Sequence, residues 1–246
     1  VPLSRQQKVH FALERGRLSS PCVVNVPGLT SKLQLPTATK GQMDFVLRTN
    51  VSTATEDDDL YVKVTTIDPA YVAVNNSGMH MVIAQEGQTT RSAEVVPPGG
   101  RLCLYKSDAK GKPRIRFKFS SSPAEDDRLA DFEWSRPIKL AQVGRISIHV
   151  RNAGEIRRSK HVRVVKQVPN NSQTLFIIFS IEEEASPTYR IDNQSRSILL
   201  ELTQHGITPV SDQLIISYRP GSKDVFSWTD PEQSKLCLAV WVKKLD

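Results

Sequence analysis

The chain has 246 residues, which suits one large all-β domain or two smaller ones of ordinary size. Charged residues make up 24% and hydrophobic residues 39%, the balance of a globular protein, and no apolar run approaches the roughly 18 residues needed to span a bilayer. The net charge is +7, and the three cysteines, Cys22, Cys103 and Cys237, are too sparse and too widely spaced for a disulfide framework or a zinc site, so they read as buried free thiols in a reducing compartment.

In chain order, the first strand-like segment is Val9-His10-Phe11-Ala12-Leu13, within an otherwise ambiguous stretch from Arg5 to Arg17. No basic-then-apolar leader precedes it. Apolar and polar residues then alternate at Leu60–Val64, Ile115–Phe119 and Ile146–Val150, the period of a half-buried strand. Continuous apolar runs, rich in β-branched and aromatic residues, lie at Leu175–Phe179 and Leu236–Val242 and read as core strands. Turn signals separate them at Pro27-Gly28, Pro98-Gly99-Gly100, Asn152-Ala153-Gly154 and Pro220-Gly221-Ser222. No long stretch carries helical periodicity, so the expected class is all-β, a sandwich or barrel.

An internal repeat refines this expectation. Pro69 to Ser77 and Pro187 to Ser195 share the pattern P-x-Y-x-x-x-N-x-S, with Asn75 and Asn193 in the same place. Downstream, Gln85-Glu86-Gly87 matches Gln204-His205-Gly206, Pro98-Gly99-Gly100 matches Pro220-Gly221-Ser222, and Tyr105 sits opposite Trp228. Lys112–Lys118 lies over Lys235–Trp241, while Cys103 falls opposite Val225 and Cys237 opposite Arg114, so cysteine is not part of the repeated plan. Trp134-Ser135-Arg136-Pro137-Ile138 opens the second copy, and Val9–Leu13 resembles the strand that closes each one. The expected organisation is therefore two tandem antiparallel β-sandwich modules, residues 20–125 and 126–246, after a tail of a preceding module at 1–19. The chain reads as a window on a longer array.

Tyr189-Arg190-Ile191-Asp192-Asn193-Gln194-Ser195, then an alternating strand, a Pro-Gly turn and Trp228-Thr229-Asp230-Pro231, resembles the vacuolar protein sorting 13 family in its adaptor-binding region. The first copy has a degenerate tip, Tyr105-Lys106-Ser107-Asp108. The resemblance covers nearly the whole chain. It implies a tandem array of β-sandwich repeats, each carrying an asparagine in the place of Asn75 and Asn193. It also implies a function: docking onto short Pro-x-Pro peptides of organelle-specific adaptors, which directs a long lipid transporter to its membrane and places the chain in the cytoplasm, peripheral at organelle contact sites.

For Asn75 and Asn193 two roles stand open: contact with an adaptor, or a bracket whose amide satisfies main-chain groups in a bend that no strand ladder reaches. The charge excess concentrates between Gly144 and Gln167, where Arg145, Arg151, Arg157, Arg158, Lys160, Arg163 and Lys166 face a single acid, Glu155. That segment is a candidate patch for anionic lipid headgroups or an acidic partner, or a hairpin whose edge is guarded by positive charge. It lacks the interleaved aromatics that stack bases, so no nucleic-acid partner is expected. The acidic runs Glu56–Asp59, Glu125–Asp127 and Glu182–Glu184 read as solvated loops without the alternating oxygens of a calcium loop. None of His10, His80, His149, His161 and His205 lies in a metalloprotease pair, and no nucleophile elbow or phosphate-cradling glycine loop occurs. No enzymatic activity, metal or cofactor is expected. Four N-x-S triplets, at Asn50, Asn75, Asn170 and Asn193, keep a secreted adhesion module as a third reading, which their glycosylation state after secretory expression would test.

Overall fold

The computed structural model describes residues 6–12, 17–35, 44–56, 60–85, 93–104, 106–107, 113–120, 132–140, 142–152, 159–170, 172–207, 215–233 and 237–244. Among them there is no helix. The strands in chain order are β1 (Lys8–Val9), β2 (Cys22–Val23), β3 (Thr30–Leu35), β4 (Asp44–Glu56), β5 (Leu60–Pro69), β6 (Tyr71–Asn75), β7 (His80–Gln85), β8 (Glu94–Val96), β9 (Arg101–Leu104) and β10 (Lys106–Ser107). They continue with β11 (Arg114–Ser120), β12 (Ile138–Lys139), β13 (Gly144–Val150), β14 (Lys160–Gln167), β15 (Leu175–Ile181), β16 (Tyr189–Asp192), β17 (Ile198–Gln204), β18 (Ile216–Tyr218), β19 (Lys223–Phe226) and β20 (Leu238–Lys244). The class is all-β and sandwich-like, as the period-two patterns require.

By contact the chain forms two compact units. The first comprises Val1–Ala73, Leu102–Pro113 and Gln167–Phe176; the second comprises Val74–Arg101, Arg114–Lys166 and Ile177–Asp246. In the first, β4 pairs antiparallel with β3, β5 and β10. Cys22, Leu33 and Leu35 form a buried cluster there, with Phe11 and Val24 packed against it. The β1–β2 joint also belongs to this unit: Ser19 N–H donates to Phe11 O (2.7 Å), Phe11 N–H donates to Ser19 Oγ (3.0 Å), and Val9 stands opposite Cys22.

In the second unit the sheet order is β12-β11-β7-β8. Its register sets Ile115, Phe117 and Phe119 opposite Gln85, Ile83 and Met81, one buried row on one face. A further sheet has the order β13-β14-β15-β6-β9. From it Ile148, Val150, Val162, Val164, Ile177 and Phe179 are also fully buried. Phe117 meets Phe179 at 4.8 Å between ring centroids and Phe119 at 5.6 Å, and Phe119 meets Phe132 edge-on at 6.0 Å. Each such side chain removed from water contributes roughly 1.5–3 kcal/mol, so this aromatic stack is a main anchor of the sandwich. The β1–β2 joint recurs at β11–β12: Ser135 N–H donates to Phe117 O (2.8 Å), Phe117 N–H donates to Ser135 Oγ (3.0 Å), and Ile115 stands opposite Ile138.

The later strands repeat the plan of the earlier ones. β17 pairs with β18 and β20 as β7 pairs with β8 and β11, and β16 pairs with β19 as β6 neighbours β9. Leu238 faces Gln204 as Ile115 faces Gln85, so Val240 and Val242 occupy the register positions of Phe117 and Phe119.

Candidate functional site

Both repeat asparagines sit where the chain leaves one strand and bends into the next. Asn75 is fully buried; its Nδ2 donates to the carbonyls of Met79 (2.7 Å), Val96 (2.8 Å) and Pro97 (3.1 Å). Its Oδ1 accepts from the Ser77 hydroxyl (2.6 Å) and N–H (3.1 Å). Asn193, 3% exposed, repeats the arrangement with Ile198 O (2.8 Å), Tyr218 O (2.9 Å), the Ser195 hydroxyl (2.7 Å) and the Ser195 N–H (3.3 Å). In each case the backbone joins in. Gly99 N–H donates to Asn75 O (2.7 Å) and Gly221 N–H to Asn193 O (2.8 Å). Both glycines hold φ above +70°, a conformation costly for a residue with a Cβ, which is why a Pro-Gly turn lies there. The serine of N-x-S is thus part of the bracket.

Among the described residues of the basic segment, the charges have different settings. Arg157 and Arg158 lie outside the described residues. Arg145 is exposed at the start of β13, and Lys160 is half-buried. Arg151 lies 3.8 Å from Glu133. Arg163 donates through Nε to Glu182 (2.6 Å) and also bonds Ser186 O. Lys166, 3% exposed, shares the inward row of β14 with Val162 and Val164; its Nζ donates to Lys139 O (3.1 Å) and lies 3.7 Å from Glu232. Burial pulls the Lys166 ammonium below the ordinary lysine range, and Glu232 opposes that.

Glu182 is not a solvated loop residue. Its side chain is fully buried, bonded by Arg163 and by the Thr188 N–H. Burial alone would raise its carboxyl, but the bonds from Thr188 and Arg163 hold it below the usual carboxylate range. Glu183 and Glu184 are exposed, as expected. Of the cysteines, all free, Cys22 is buried, Cys103 is partly exposed, and Cys237 is exposed rather than buried.

The Trp-x-Asp-Pro tip is a clasp inside the second unit. Trp228 pairs by main chain with β13, accepting from His149 N–H (2.9 Å) and donating to Ser147 O (3.0 Å). Asp230 exchanges bonds with the Gln204 amide (2.7 and 2.9 Å), and Glu232 accepts from Lys139 N–H (3.0 Å). Sequence reasoning missed this role for Lys166. Its place two and four residues after Val164 and Val162, on the apolar parity of the strand, was the available signal.

Among the described residues of the second unit, β20 carries three consecutive exposed apolar side chains. It stands at the end of the order β18-β17-β20, and among the described residues no strand pairs with its other edge. Val240, Trp241 and Val242 are 50%, 45% and 62% exposed, whereas Phe117 and Phe119, at the register positions of Val240 and Val242, are fully buried. In β11, at the same register, that edge is paired by β12 and Phe117 is packed by Phe179 of β15, so a further repeat or another extended chain can occupy the edge of β20.

No curated protein matches the chain. The family model described as Vacuolar-sorting associated protein 13, adaptor binding domain, matches residues 4–235, nearly the whole length. With its repeated asparagine brackets and tandem antiparallel strands, the chain belongs to the vacuolar-sorting associated protein 13 adaptor binding domain family, a class of protein-interaction modules.

Proposed function

We propose that the chain captures extended, proline-containing adaptor peptides of the Pro-x-Pro type, and so directs a lipid transfer protein to organelle membranes and contact sites. Family membership supports adaptor interaction. What supports the finer reading is the strand edge of β20, with Val240, Trp241 and Val242 beside it, an edge that in the equivalent strand β11 takes up the short segment β12. A peptide laid along this edge gains main-chain hydrogen bonds, and alternate side chains fall on either face of the strand. Proline has no N–H to donate, so a Pro-x-Pro peptide pairs at the intervening residue and relies on apolar contact for its rings. Trp241 offers one such contact, the valines the other. We read residues 20–125 and 126–246 as successive repeats that act together in this role.

Titration calorimetry with a Pro-x-Pro peptide and its Ala-x-Ala counterpart tests the reading. The proline peptide should bind, the alanine peptide should bind at least about tenfold more weakly, and Trp241→Ala should weaken the former. Equal affinities, or indifference to Trp241→Ala, would overturn it. Salt-dependent binding to anionic liposomes without peptide would instead favour the basic segment Arg145–Lys166 as a lipid-facing patch.

A further inference from the structure

Two joints of the chain are built alike, and each is closed by the same short motif. Ser19-Ser20-Pro21-Cys22 and Ser135-Arg136-Pro137-Ile138 both read Ser-x-Pro-apolar. In each, the serine N–H donates to the carbonyl of an upstream phenylalanine, Phe11 (2.7 Å) or Phe117 (2.8 Å), and that residue's own N–H donates to the serine Oγ (3.0 Å in both). The hydroxyl in turn donates to the next carbonyl, Ser20 O (2.7 Å) or Arg136 O (3.1 Å). The apolar residue of the motif pairs two positions further along the partner strand, Cys22 opposite Val9 and Ile138 opposite Ile115. Ser19, Cys22, Ser135 and Ile138 are all buried.

The backbone explains the proline. Between Ser135 and Ile138 stand two residues, Arg136 and Pro137, against the single Arg116 of β11, so the segment carries a one-residue bulge. Proline's missing N–H costs no pairing there. Past the bulge, Lys139 N–H turns away from β11 to Glu232 Oε1 (3.0 Å), so the strand pairing needs no donor at that place either.

β20 offers the same edge. Leu238 and Val240 hold the register positions of Ile115 and Phe117. The Cys237 carbonyl accepts from His205 N–H on the β17 side, so by strand alternation the N–H and C=O of Leu238 and Val240 point to the other edge. We propose that this edge recognises the pattern Ser-x-Pro-apolar, and that an adaptor segment docking there carries a serine two residues before a proline and an apolar residue directly after it. Val240 then takes the part of Phe117: its C=O accepts from the serine N–H, and its N–H donates to the serine hydroxyl. A Pro-x-Pro peptide fits this edge in one register. Its prolines take the places of Pro137 and Lys139, and its middle residue takes that of Ile138, opposite Leu238. This recognition rests on the adaptor reading, to which it adds the serine, the apolar middle residue and the register.

The test uses the whole chain and the peptide Trp-Ser-Arg-Pro-Ile-Pro, whose first five residues copy Trp134–Ile138. By titration calorimetry the peptide should bind, its Ser→Ala form about fivefold more weakly, and its Ile→Asp form at least about tenfold more weakly. Hydrogen exchange at the Val240 amide should slow on binding, and more than at Trp241, whose N–H already faces β17. If proline-to-alanine peptides bind more weakly while Ser→Ala and Ile→Asp change nothing, the adaptor reading stands and this pattern falls. If Ser→Ala and Ile→Asp weaken binding but exchanging the final proline for lysine does not, the pattern stands and the Pro-x-Pro reading falls. That lysine form reproduces Trp134–Lys139; if it binds about tenfold tighter than the proline form, the edge belongs to a further repeat, and the adaptor assignment is overturned. Absence of binding, or Val240 exchange unchanged by the bound peptide, also overturns the proposal.

Discussion

Asn75 and Asn193 each close a bend whose carbonyls no neighbouring strand can reach, and the amide is the side chain that both donates twice and accepts twice. Asn193→Ala should cost on the order of 1–3 kcal/mol, because the Ile198 and Tyr218 carbonyls lose their buried donor. Asn193→Asp should fare no better around pH 7, since a carboxylate accepts but does not donate. Urea unfolding measures the loss; adaptor binding abolished by Asn193→Ala with unchanged stability would instead make Asn193 a contact residue. His149 gives a second test at this scale. Its folded pKa lies below the ordinary 6.5, so its contribution to stability is complete above that pH and is lost as pH falls from 6.5 towards 3. At pH 5 the loss should be about 2 kcal/mol, with His161, also lowered by burial, acting in the same direction. His149→Phe should flatten unfolding free energy against pH in this window. The asparagines were legible in the sequence because they recur. His149 was not, because strand parity places it in a polar row with Arg145 and Ser147, and nothing in the local pattern shows that Ser147 and His149 are buried.

Between strands, Glu232 ties the tip after Trp228 to the backbone of Lys139 and the ammonium of Lys166. Removing one partner of a buried pair leaves an uncompensated charge, whereas replacing both by apolar groups does not. Glu232→Ala should therefore destabilise by about 3 kcal/mol, and the double variant Lys166→Met/Glu232→Leu should recover much of that, read by denaturant midpoint at constant slope. The strands themselves were legible: Ile115–Phe119 and Ile146–Val150 fall within β11 and β13, although burial does not alternate there as it does in sequence, since Lys118, Ser147 and His149 are buried as well. The alignment of Gln85 with Gln204 and of Arg114 with Cys237 gives the same register as the pairing of β11 with β7 and of β20 with β17. What local pattern could not give is partnership. The basic count over Gly144–Gln167 says nothing of Glu182, Ser186 and Glu232, which lie far along the chain and engage Arg163 and Lys166.

At the scale of the molecule, the core around Phe117 is completed by a strand far later in sequence: Phe117 of β11 meets Phe179 of β15. Phe179→Ala should cost about 3–5 kcal/mol and should speed amide hydrogen exchange in β7 and β11 as well as in β15. Exchange confined to β15 would contradict the shared core. Repeat matching finds equivalent residues; it is blind to which of the aligned rows pack together, because different arrangements bury the same rows.

This sharing sets an order on synthesis. When β11 leaves the ribosome its row of Ile115, Phe117 and Phe119 has no opposing face, and none exists until β15 has followed. Roughly sixty further residues must be made, a wait of about 3–12 s at about 5–20 residues per second. For that interval the nascent chain carries a bare aromatic surface next to an open strand edge, the combination that draws chaperones and promotes misassembly. Slowing translation after β11 has emerged and before β15 has emerged should lengthen the exposure and raise the aggregated fraction, while the same pause placed once β15 has emerged should not.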